Sequence, residues 1–574
     1  MRRVLTTLIK MLAKPCQVRE TAEEVDPRSC LKEAFVMTKK SKHSKQKKIY
    51  KLAHKGSTMR KLRRRGREIL LEVVDEVVEN ALAHPEKYFA NPEKDFTRER
   101  KMTLPVFVSL MFRCYESNIN DMISRAFEKL SPGTDPTRQS FIDARGKVSY
   151  LLFEDIFREF TFRMEQLIYD SELYTRPLYH ESSGTHEKFK IFAVDGSDFK
   201  GQADPTAEDA YHVRKNGSRE YNLYHLNAMY NVMSGVFVRC MIKGKLKDSE
   251  RYALLKMVEQ MPEELKKEAI ILADRGYPAF EIFRQLIESG VYFIMRTIAP
   301  DKNGSTLKNM DLPKDKEFFD ETKSFILKKY KGEISQTYPD GMRWKIDEKA
   351  DSSTPVKNRI GMTLRIVKVK VEKTIFGNSA SERATDEEAI KSSEQTDEEI
   401  EEKENKKEKA KKPGKKEESK YVDVYLVTNI PRDVMTGEEI AQLYTKRWCI
   451  ETAFGQLKRY LNGKKFHSIK HERIYQELWA RLTLFNYISG TSSFFEMVKA
   501  RVYEQKTNFR YMADACLKLL WKGESYNKFE YDACRDPVKI RPGRHFERKM
   551  GNNNSKPQYK KPKEKQEQAG KEAA

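Results

Sequence analysis

The sequence contains no long apolar run and no regularly spaced cysteines. No stretch approaches the about 20 consecutive apolar residues that a membrane-spanning helix needs, and no clear signal-peptide cleavage site follows the basic N-terminal run. The seven cysteines are scattered without a C-x-x-C pair or a Cys/His cluster, which argues against structural zinc. We therefore predict reduced cysteines and a soluble, intracellular protein without a membrane anchor.

What the sequence has in excess is positive charge. Its 574 residues carry 109 Lys and Arg against 86 Asp and Glu, a formal net charge of +23. Because each phosphate that Lys or Arg neutralises releases counterions, this surplus favours a polyanionic partner. A basic block at 39–67 is either a solvated arm or an arm along phosphates, and the overall charge favours the second interpretation. The length predicts two to four domains.

The N-terminal part of the chain is predicted to be helical. ILLEVVDEVVENALAH has clear helical apolar spacing, and helical patterns recur from Phe96 to Phe162. SPGTDPT at Ser131–Thr137 interrupts them, and Thr137 is a candidate N-cap for one helix over RQSFIDARGKVSYLLFEDIFREF. Such a helical bundle is either a DNA-reading module or a packed prelude to the core, and the sequence leaves both open.

Two carboxylates follow apolar runs that are typical of buried strands. A run from Phe189 to Val194 is predicted to end in a turn at Asp195, and the run Ala269–Ala273 ends just before Asp274. Sites gather at such strand ends in α/β sheets. The structural alternative is a turn-forming Asp before Gly in the first case and an ion pair with Arg275 in the second.

The remaining patterns predict a mixed sheet with packed helices. They are two strands within 222–242 joined by a turn at Ser234–Gly235, a helix at 250–267, a helix closed by Gly290, a strand at VYFIMR and a strand at Tyr421–Val427. Between Thr297 and Lys420, alternation of apolar and charged residues predicts half-exposed antiparallel strands. The low-complexity tract at 378–420 is predicted to be disordered or a loose helix, and the basic tail disordered.

The run YTKRWCIETAFGQLK is the most informative stretch. On an α-helix it places Tyr444, Arg447, Glu451 and Lys458 in one stripe, because seven residues return to within roughly 20° of the start and four to within roughly 40°. A carboxylate between Arg and Lys can hold a hard cation while its neighbours bind phosphate oxygens. The alternative is an exposed amphipathic helix with an ordinary Arg–Glu pair.

Asp195, Asp274 and Glu451 together would supply three hard oxygen donors. Carboxylates that meet repel one another, and Mg²⁺ relieves that repulsion while phosphate completes its coordination. Two ions roughly 3.5–4 Å apart can activate an attacking oxygen and stabilise the departing one in a displacement at phosphorus. The combination predicts a metal-dependent enzyme that cuts nucleic acid.

Three motifs follow one another along the chain: DGS at Asp195–Ser197, DRGY at Asp274–Tyr277, and Tyr-x2-Arg-x3-Glu-x6-Lys from Tyr444 to Lys458. In this order they resemble the DDE transposases of bacterial insertion sequences, in particular the insertion sequence four family. The resemblance extends from about Phe96 to Gly490. Asp198 departs from the pattern as an additional carboxylate that either competes as a ligand or faces solvent.

The resemblance implies an α/β fold with a ribonuclease-H-like mixed-sheet core, interrupted by a β-rich insertion and preceded by a helical N-terminal DNA-binding region. It implies that Asp195, Asp274 and Glu451 are the catalytic residues and the ligands of two Mg²⁺ ions, for which Mn²⁺ can substitute. The residues that it implies in contact with DNA are Tyr444, Arg447, Lys458, Arg275 and Trp344. Trp344 has a structural alternative, because a Trp on a strand is more often a packing residue.

The implied partners are double-stranded DNA, as inverted-repeat ends and as target, and a second copy of the chain; no membrane is involved. The implied location is the cytoplasm, in association with the nucleoid. The predicted segments are a basic helical arm (1–95), a helical DNA-binding region (96–185), the first part of the catalytic core (186–300), a β-rich insertion with the charged tract (301–420), the second part of the core (421–500), and a helical segment with a basic disordered tail (501–574).

The sequence therefore predicts a transposase that cuts strands at inverted-repeat ends and joins them to target DNA. A ribonuclease-H-like nuclease without strand transfer is one alternative. A domesticated transposase kept only for DNA binding is another. Acidic residues at all three positions favour an enzyme, since a protein that only binds DNA does not need carboxylates beside a polyanion.

Overall fold

The computed structural model describes residues 57–170, 189–372 and 421–539, apart from short gaps within these ranges, and residues 558–559. The basic block before residue 57, the charged tract at 378–420 and most of the basic tail lie outside the described residues. The chain divides into two compact units. The first comprises Met1–Met257, Cys449–Ile540 and Lys556–Ala574, and the second comprises Val258–Trp448 and Arg541–Ser555.

The chain is a mixed α/β protein. In chain order, the described helices are α1 (Ser57–Ala83), α2 (Pro85–Tyr88), α3 (Leu104–Met111), α4 (Ile119–Phe127), α5 (Arg138–Arg145), α6 (Leu151–Tyr169), α7 (Ser249–Glu259), α8 (Glu263–Glu268), α9 (Phe280–Glu288), α10 (Gly437–Tyr444), α11 (Trp448–Tyr460), α12 (His471–Tyr503), α13 (Phe509–Lys522) and α14 (Tyr526–Ala533). None of them is both long and apolar enough to cross a membrane.

The described strands come mainly after the N-terminal helices. They are β1 (Lys190–Gln202), β2 (Tyr211–Arg214), β3 (Tyr221–Asn231), β4 (Val236–Gly244), β5 (Ala269–Ala273), β6 (Tyr292–Thr297), β7 (Phe319–Lys331), β8 (Met342–Ile346), β9 (Arg359–Glu372), β10 (Tyr421–Thr428), β11 (Gln505–Lys506), β12 (Val538–Lys539) and β13 (Gln558–Tyr559).

The predicted N-terminal helices are present, with one interruption. Thr137 is the N-cap of α5, where its hydroxyl accepts a hydrogen bond from the backbone N–H of Ser140. The single helix predicted after Thr137 is wrong, because α5 ends at Arg145, with Gly146 as its C-cap, and α6 begins only at Leu151. Glycine favours such an ending because it loses the most backbone entropy in a helix interior.

The core of the first unit is built around α12, which packs against α6 and α1. Aromatic side chains fill the contact, as where the rings of Phe157 and Trp479 lie 5.1 Å apart. The end of the basic block belongs to this core. The Arg63 guanidinium lies 4.0 Å from the Phe495 ring centre and 3.4 Å from Glu530, so this Arg is a packing residue rather than part of a solvated arm.

The sheet of the first unit is antiparallel. β1 pairs with β3 along its length, from Phe192 opposite Asn231 to Gln202 opposite Tyr221, and β3 pairs in turn with β4 and β2. The predicted hairpin at 222–242 is confirmed as β3 and β4. Gly235 between them has a φ of +74°, a value that glycine adopts without strain.

The second unit holds a mixed sheet in the order β5-β6-β10-β9-β7-β8. Its β5 and β6 are parallel, and the other neighbours are antiparallel. The helix that joins β5 and β6 ends as predicted at Gly290, whose φ is +70°. The half-exposed antiparallel strands predicted after Thr297 are confirmed as β7, β8 and β9. The single helix predicted at 250–267 is wrong, because α7 ends at Glu259 and a second helix, α8, begins after its N-cap Pro262.

Candidate active site

Asp195 lies in the middle of a strand. The prediction that its strand ends in a turn is wrong, because β1 continues to Gln202 and remains paired with β3 beyond Asp195. Its side chain is half-buried, and its Oδ1 accepts a hydrogen bond from the backbone N–H of Gly196 at 2.9 Å. A polar stretch can continue a strand when its side chains find partners, and those partners come from elsewhere in the first unit.

The face of β1 that bears Asp195 also bears Ser197 and Phe199, because side chains alternate along a strand. Lys458 contacts this face. Its Nζ donates a hydrogen bond to the Ser197 Oγ at 2.7 Å and lies 4.8 Å from the centre of the Phe199 ring. Lys458 of α11 is therefore fixed two residues along the strand from Asp195, on the same face.

The helix α11 presents Lys458 and Glu451 because its other side is buried. Ile450, Ala453, Phe454 and Leu457 form the buried stripe, at the spacing that places side chains on one face of a helix. The Phe454 ring stacks on Phe237 of β4 at a centroid distance of 5.4 Å. Glu451 lies in the first turn of α11, half-buried, two turns before Lys458 and on the same side of the helix.

The predicted continuous helix from Tyr444 to Lys458 is wrong. A 3₁₀ turn at Thr445–Arg447 separates α10 from α11. The Thr445 hydroxyl donates to the Gln442 carbonyl oxygen at 2.7 Å, a local bond that competes with regular helical pairing. Tyr444 consequently ends α10, Arg447 lies in the 3₁₀ turn, and Glu451 and Lys458 belong to α11. The first two residues fall in the second unit and the last two in the first.

Asp274 directly follows a buried strand, as the sequence predicted. The strand β5 before it is fully buried, and Asp274 follows its last residue. The half-buried carboxylate accepts a hydrogen bond at its Oδ1 from the backbone N–H of Gly276 at 2.7 Å, so the turn orients the side chain.

Asp274 interacts with the basic residue Arg296 within the second unit. Arg296 of β6 interacts electrostatically with Asp274, Arg275, Tyr444 and Arg447. Its burial lowers its pKa, Tyr444 and Asp274 raise it, and the two other arginines lower it. Arg296, which the sequence analysis missed, thus interacts with four residues that it predicted for the site: Asp274, Arg275, Tyr444 and Arg447. A signal for Arg296 did exist, since it is a charged residue within an otherwise apolar strand.

Tyr444 and Arg447 are buried in the second unit, with exposed fractions of 1% and 6%. Burial raises the pKa of Tyr444 to about 12, although Arg447 acts in the opposite direction. The Arg447 guanidinium lies 4.6 Å from the centre of the Trp448 ring. These contacts hold the guanidinium in a fixed position.

Trp344 lies on β8 and contacts the helix α9. Its indole N–H donates a hydrogen bond to the Glu281 Oε2 at 2.8 Å, and the Lys329 Nζ lies 5.3 Å from its ring centre. The packing interpretation of this Trp therefore has direct contacts in its favour. A contact between its ring and DNA stays a prediction.

The donor chemistry of the three carboxylates suits Mg²⁺, which prefers hard oxygen ligands and keeps several waters or phosphate oxygens. In the described part of the chain, no three side chains of His, Cys, Asp or Glu form a group that could hold a metal ion. Asp195 and Glu451 belong to the first unit and Asp274 to the second. Their role as metal ligands stays a prediction.

Comparisons with known proteins identify the family. A family model described as "Transposase DDE domain" matches residues 186–487, more than half of the chain. No curated protein matches the chain. A chain from a solved piggyBac transposase synaptic complex with hairpin DNA is similar at 10% identity and a TM-score of 0.33, over 81% of this chain and 80% of that one. The chain belongs to the family of proteins with a transposase DDE domain and is a DNA transposase, an enzyme that cleaves DNA and transfers the cut strand.

Proposed function

We propose that this transposase moves an insertion sequence by a cut-and-paste route, with Asp195, Asp274 and Glu451 as the ligands of two Mg²⁺ ions or, in their place, Mn²⁺. One observation carries the proposal: the matched DDE domain spans all three residues, and each is half-buried on a regular element or directly after one. Bound divalent ions would supply an activated attacking oxygen and charge compensation at the leaving oxygen.

The side chains around the carboxylates have complementary tasks. Lys458, fixed by Ser197 on the Asp195 face of β1, would bind a phosphate oxygen of the DNA end. Arg447, Arg275 and Arg296 would hold phosphate oxygens beside Asp274, where Tyr444 orients Arg447. Trp344 would contact a base with its ring, since its N–H is already bonded to Glu281.

The finer architecture is part of the same proposal. A ribonuclease-H-like core would use the antiparallel strands β1, β3 and β4 and the parallel pair β5 and β6. The motif from Tyr444 to Lys458 supports membership of the insertion sequence four family. We further propose that the N-terminal helices bind DNA, that the enzyme acts as a homodimer on the inverted-repeat ends, and that it is associated with the nucleoid.

Strand transfer of a pre-cut end tests this function. The purified chain is mixed with a duplex that ends in the 3′-hydroxyl of the element's own terminal repeat and with a supercoiled plasmid, in Mg²⁺ or Mn²⁺. We expect the duplex to become covalently joined to the plasmid. Plasmid nicking without joined product would instead support a nuclease and contradict the proposal.

We expect Lys458→Ala to weaken binding of the end duplex and to flatten its salt dependence. The loss of one phosphate contact lowers the slope of log affinity against log salt by about one. Fluorescence anisotropy over a salt series, without divalent metal, measures this slope. Lys522→Ala, an exposed Lys of α13, is the matched control. An unchanged slope in the Lys458 variant would contradict the phosphate contact.

We expect Arg296→Gln to reduce the rate of end cleavage by roughly 10²-fold, because a fixed donor beside the reacting phosphate acts mainly in the transition state. Arg296→Lys keeps the charge and should recover part of the rate. Lys302→Gln is the control, since its exposed side chain lies outside the cluster. Single-turnover cleavage measures the rates. If the Gln variant cleaves at the wild-type rate, Arg296 has no part in the reaction.

A further inference from the structure

The strand β1 carries an unusual polar segment in its middle. Residues 191–194 are buried and apolar, whereas Asp195, Gly196, Ser197 and Asp198 are all only half-buried. Apolar packing therefore does little to fix this part of the strand. Side-chain contacts on its two faces therefore add to the backbone pairing with β3, and the face with Asp195 and Ser197 has the contact with Lys458 already described.

On the opposite face, a buried histidine lies between two carboxylates. His225 of β3 stands directly across from Asp198 in the strand register. Its Nδ1 lies 2.6 Å from the Asp198 Oδ1, and its Nε2 lies 3.2 Å from the Glu250 Oε1 of α7. The imidazole is 3% exposed, whereas the two carboxylates are 30% and 39% exposed.

This arrangement explains the glycine of the DGS motif. A Cβ built on Gly196 would lie 2.4 Å from the His225 Nε2 and 2.7 Å from the Glu250 Oε1. The imidazole and the carboxylate thus lie directly on the backbone of the residue after Asp195. Any larger residue would displace them.

The same contacts decide the role of Asp198. Asp198 is three residues from Asp195, so the two side chains point to opposite faces of β1. Its carboxylate is engaged with His225. The sequence left two roles open for Asp198, a competing metal ligand or a carboxylate that only faces solvent. Its contact with His225 disfavours both roles.

We infer that His225 is a positioning residue, which through Asp198 and Glu250 fixes the backbone of the β1 segment that carries Asp195. The inference rests on the proposed role of Asp195 as a metal ligand. Both ring nitrogens face carboxylate oxygens, so the imidazolium form suits the site best. The contact of Nδ1 with Asp198 is a short hydrogen bond, whereas the contact of Nε2 with Glu250 at 3.2 Å is an ion pair without hydrogen-bond geometry. Burial by itself lowers the pKa of His225, but Asp198 and Glu250 outweigh it and raise the pKa to about 9.

A double-mutant cycle tests this positioning role in the full chain. We expect Gly196→Ala and His225→Ala each to slow end cleavage by roughly 10- to 100-fold, the cost of a small misplacement of a reacting group. Binding of the end duplex should change by less than about twofold. Because the methyl group that Gly196→Ala introduces collides with the imidazole and with the carboxylate that the imidazole holds, the double variant should be no slower than His225→Ala alone. Gly361→Ala is the control, since a Cβ there meets open space.

The apparent Mn²⁺ affinity separates positioning from a general loss of folded protein. A misplaced Asp195 should raise the Mn²⁺ concentration at which cleavage is half-maximal. Partial unfolding would instead lower only the maximal amount of DNA cleaved. Asp198→Asn, which keeps an acceptor for the Nδ1–H, should show a smaller change of the same kind. The inference would be overturned if the rate reductions of Gly196→Ala and His225→Ala multiply in the double variant. It would also be overturned if both single variants keep the wild-type Mn²⁺ requirement.

A spectroscopic readout is independent of transposition. In protein labelled with ¹⁵N-histidine, both ring nitrogens of His225 should carry protons at pH 7.5, with the resonance assigned by its loss in His225→Ala. A neutral ring would contradict the contacts with both carboxylates. If the ring is doubly protonated while Asp195→Asn still cleaves DNA, the proposed metal ligand fails and the contact between the three residues stands.

Discussion

Asp195→Asn, Asp274→Asn and Glu451→Gln are each expected to abolish DNA cleavage while the protein still binds the end duplex. Each amide keeps the size of the side chain but removes the negative charge that a hard cation requires. A loss of at least about 10³-fold in rate, or about 4 kcal/mol of transition-state stabilisation, is expected from each change. Single-turnover cleavage in Mg²⁺ measures the rate, and anisotropy measures binding.

Carboxylates elsewhere provide the matched controls. Asp301→Asn in the second unit and Glu472→Gln on α12 replace side chains that are 67% and 53% exposed. Both controls should cleave at close to the wild-type rate. Substantial Mg²⁺-dependent cleavage by one of the three test variants would refute the assignment of that residue alone. Loss of end binding together with cleavage would indicate a structural role instead.

The largest effect on stability is expected at Glu477, a fully buried carboxylate of the first unit. It lies 2.8 Å from Arg145 of α5, 2.8 Å from Arg481 of its own helix and 3.1 Å from His467. Arg481 also donates to the backbone oxygens of Cys114 and Asn462. Through this group, α12 is tied to α5 and to the segments after α3 and α11.

We expect Glu477→Ala to lower the free energy of unfolding of the first unit by about 3–5 kcal/mol, because it leaves two buried guanidinium groups without their carboxylate. Chemical denaturation followed by circular dichroism measures the change. Glu472→Ala, at an exposed position of the same helix, should change it by less than about 0.5 kcal/mol. A loss of under about 1 kcal/mol at Glu477 would show that the ion group adds little to stability.

The pH dependence of this stabilisation has a definite sign. Burial raises the pKa of Glu477, but Arg145, His467 and Arg481 outweigh it and lower the pKa from 4.5 to about 2. The stabilisation is therefore complete above pH 4.5 and is lost as the pH falls towards 2. As the pH is lowered from 4.5 to 2, the free energy of unfolding of the wild type should decrease more steeply than that of Glu477→Gln.

The sequence was sufficient where the apolar pattern of a single element decides the structure. The apolar run Ala269–Ala273 predicts a buried strand, and the structure places Asp274 directly after it. The stripe of Ile450, Ala453, Phe454 and Leu457 likewise fixes which side of α11 faces outward. In both cases the residues that decide the structure lie within a few positions of one another.

The sequence was insufficient where distant partners decide. The polar segment after Val194 continues as a strand because Lys458 and His225 supply its partners, from positions 261 and 27 residues away from Ser197 and Asp198 respectively. The pairing of Glu477 with Arg145 depends in the same way on tertiary packing. The 3₁₀ turn at Thr445–Arg447 was missed for a different reason, since a single local hydroxyl bond interrupts a helical pattern.

The central claim is that Asp195, Asp274 and Glu451 share divalent ions when the DNA end is bound. Anomalous scattering from Mn²⁺ in crystals of the DNA complex tests it most directly. We predict two peaks roughly 3.5–4 Å apart, each within coordination distance of at least one of the three carboxylates and of the scissile phosphate. Well-ordered Mn²⁺ at that phosphate without contact to any of these side chains would contradict the account.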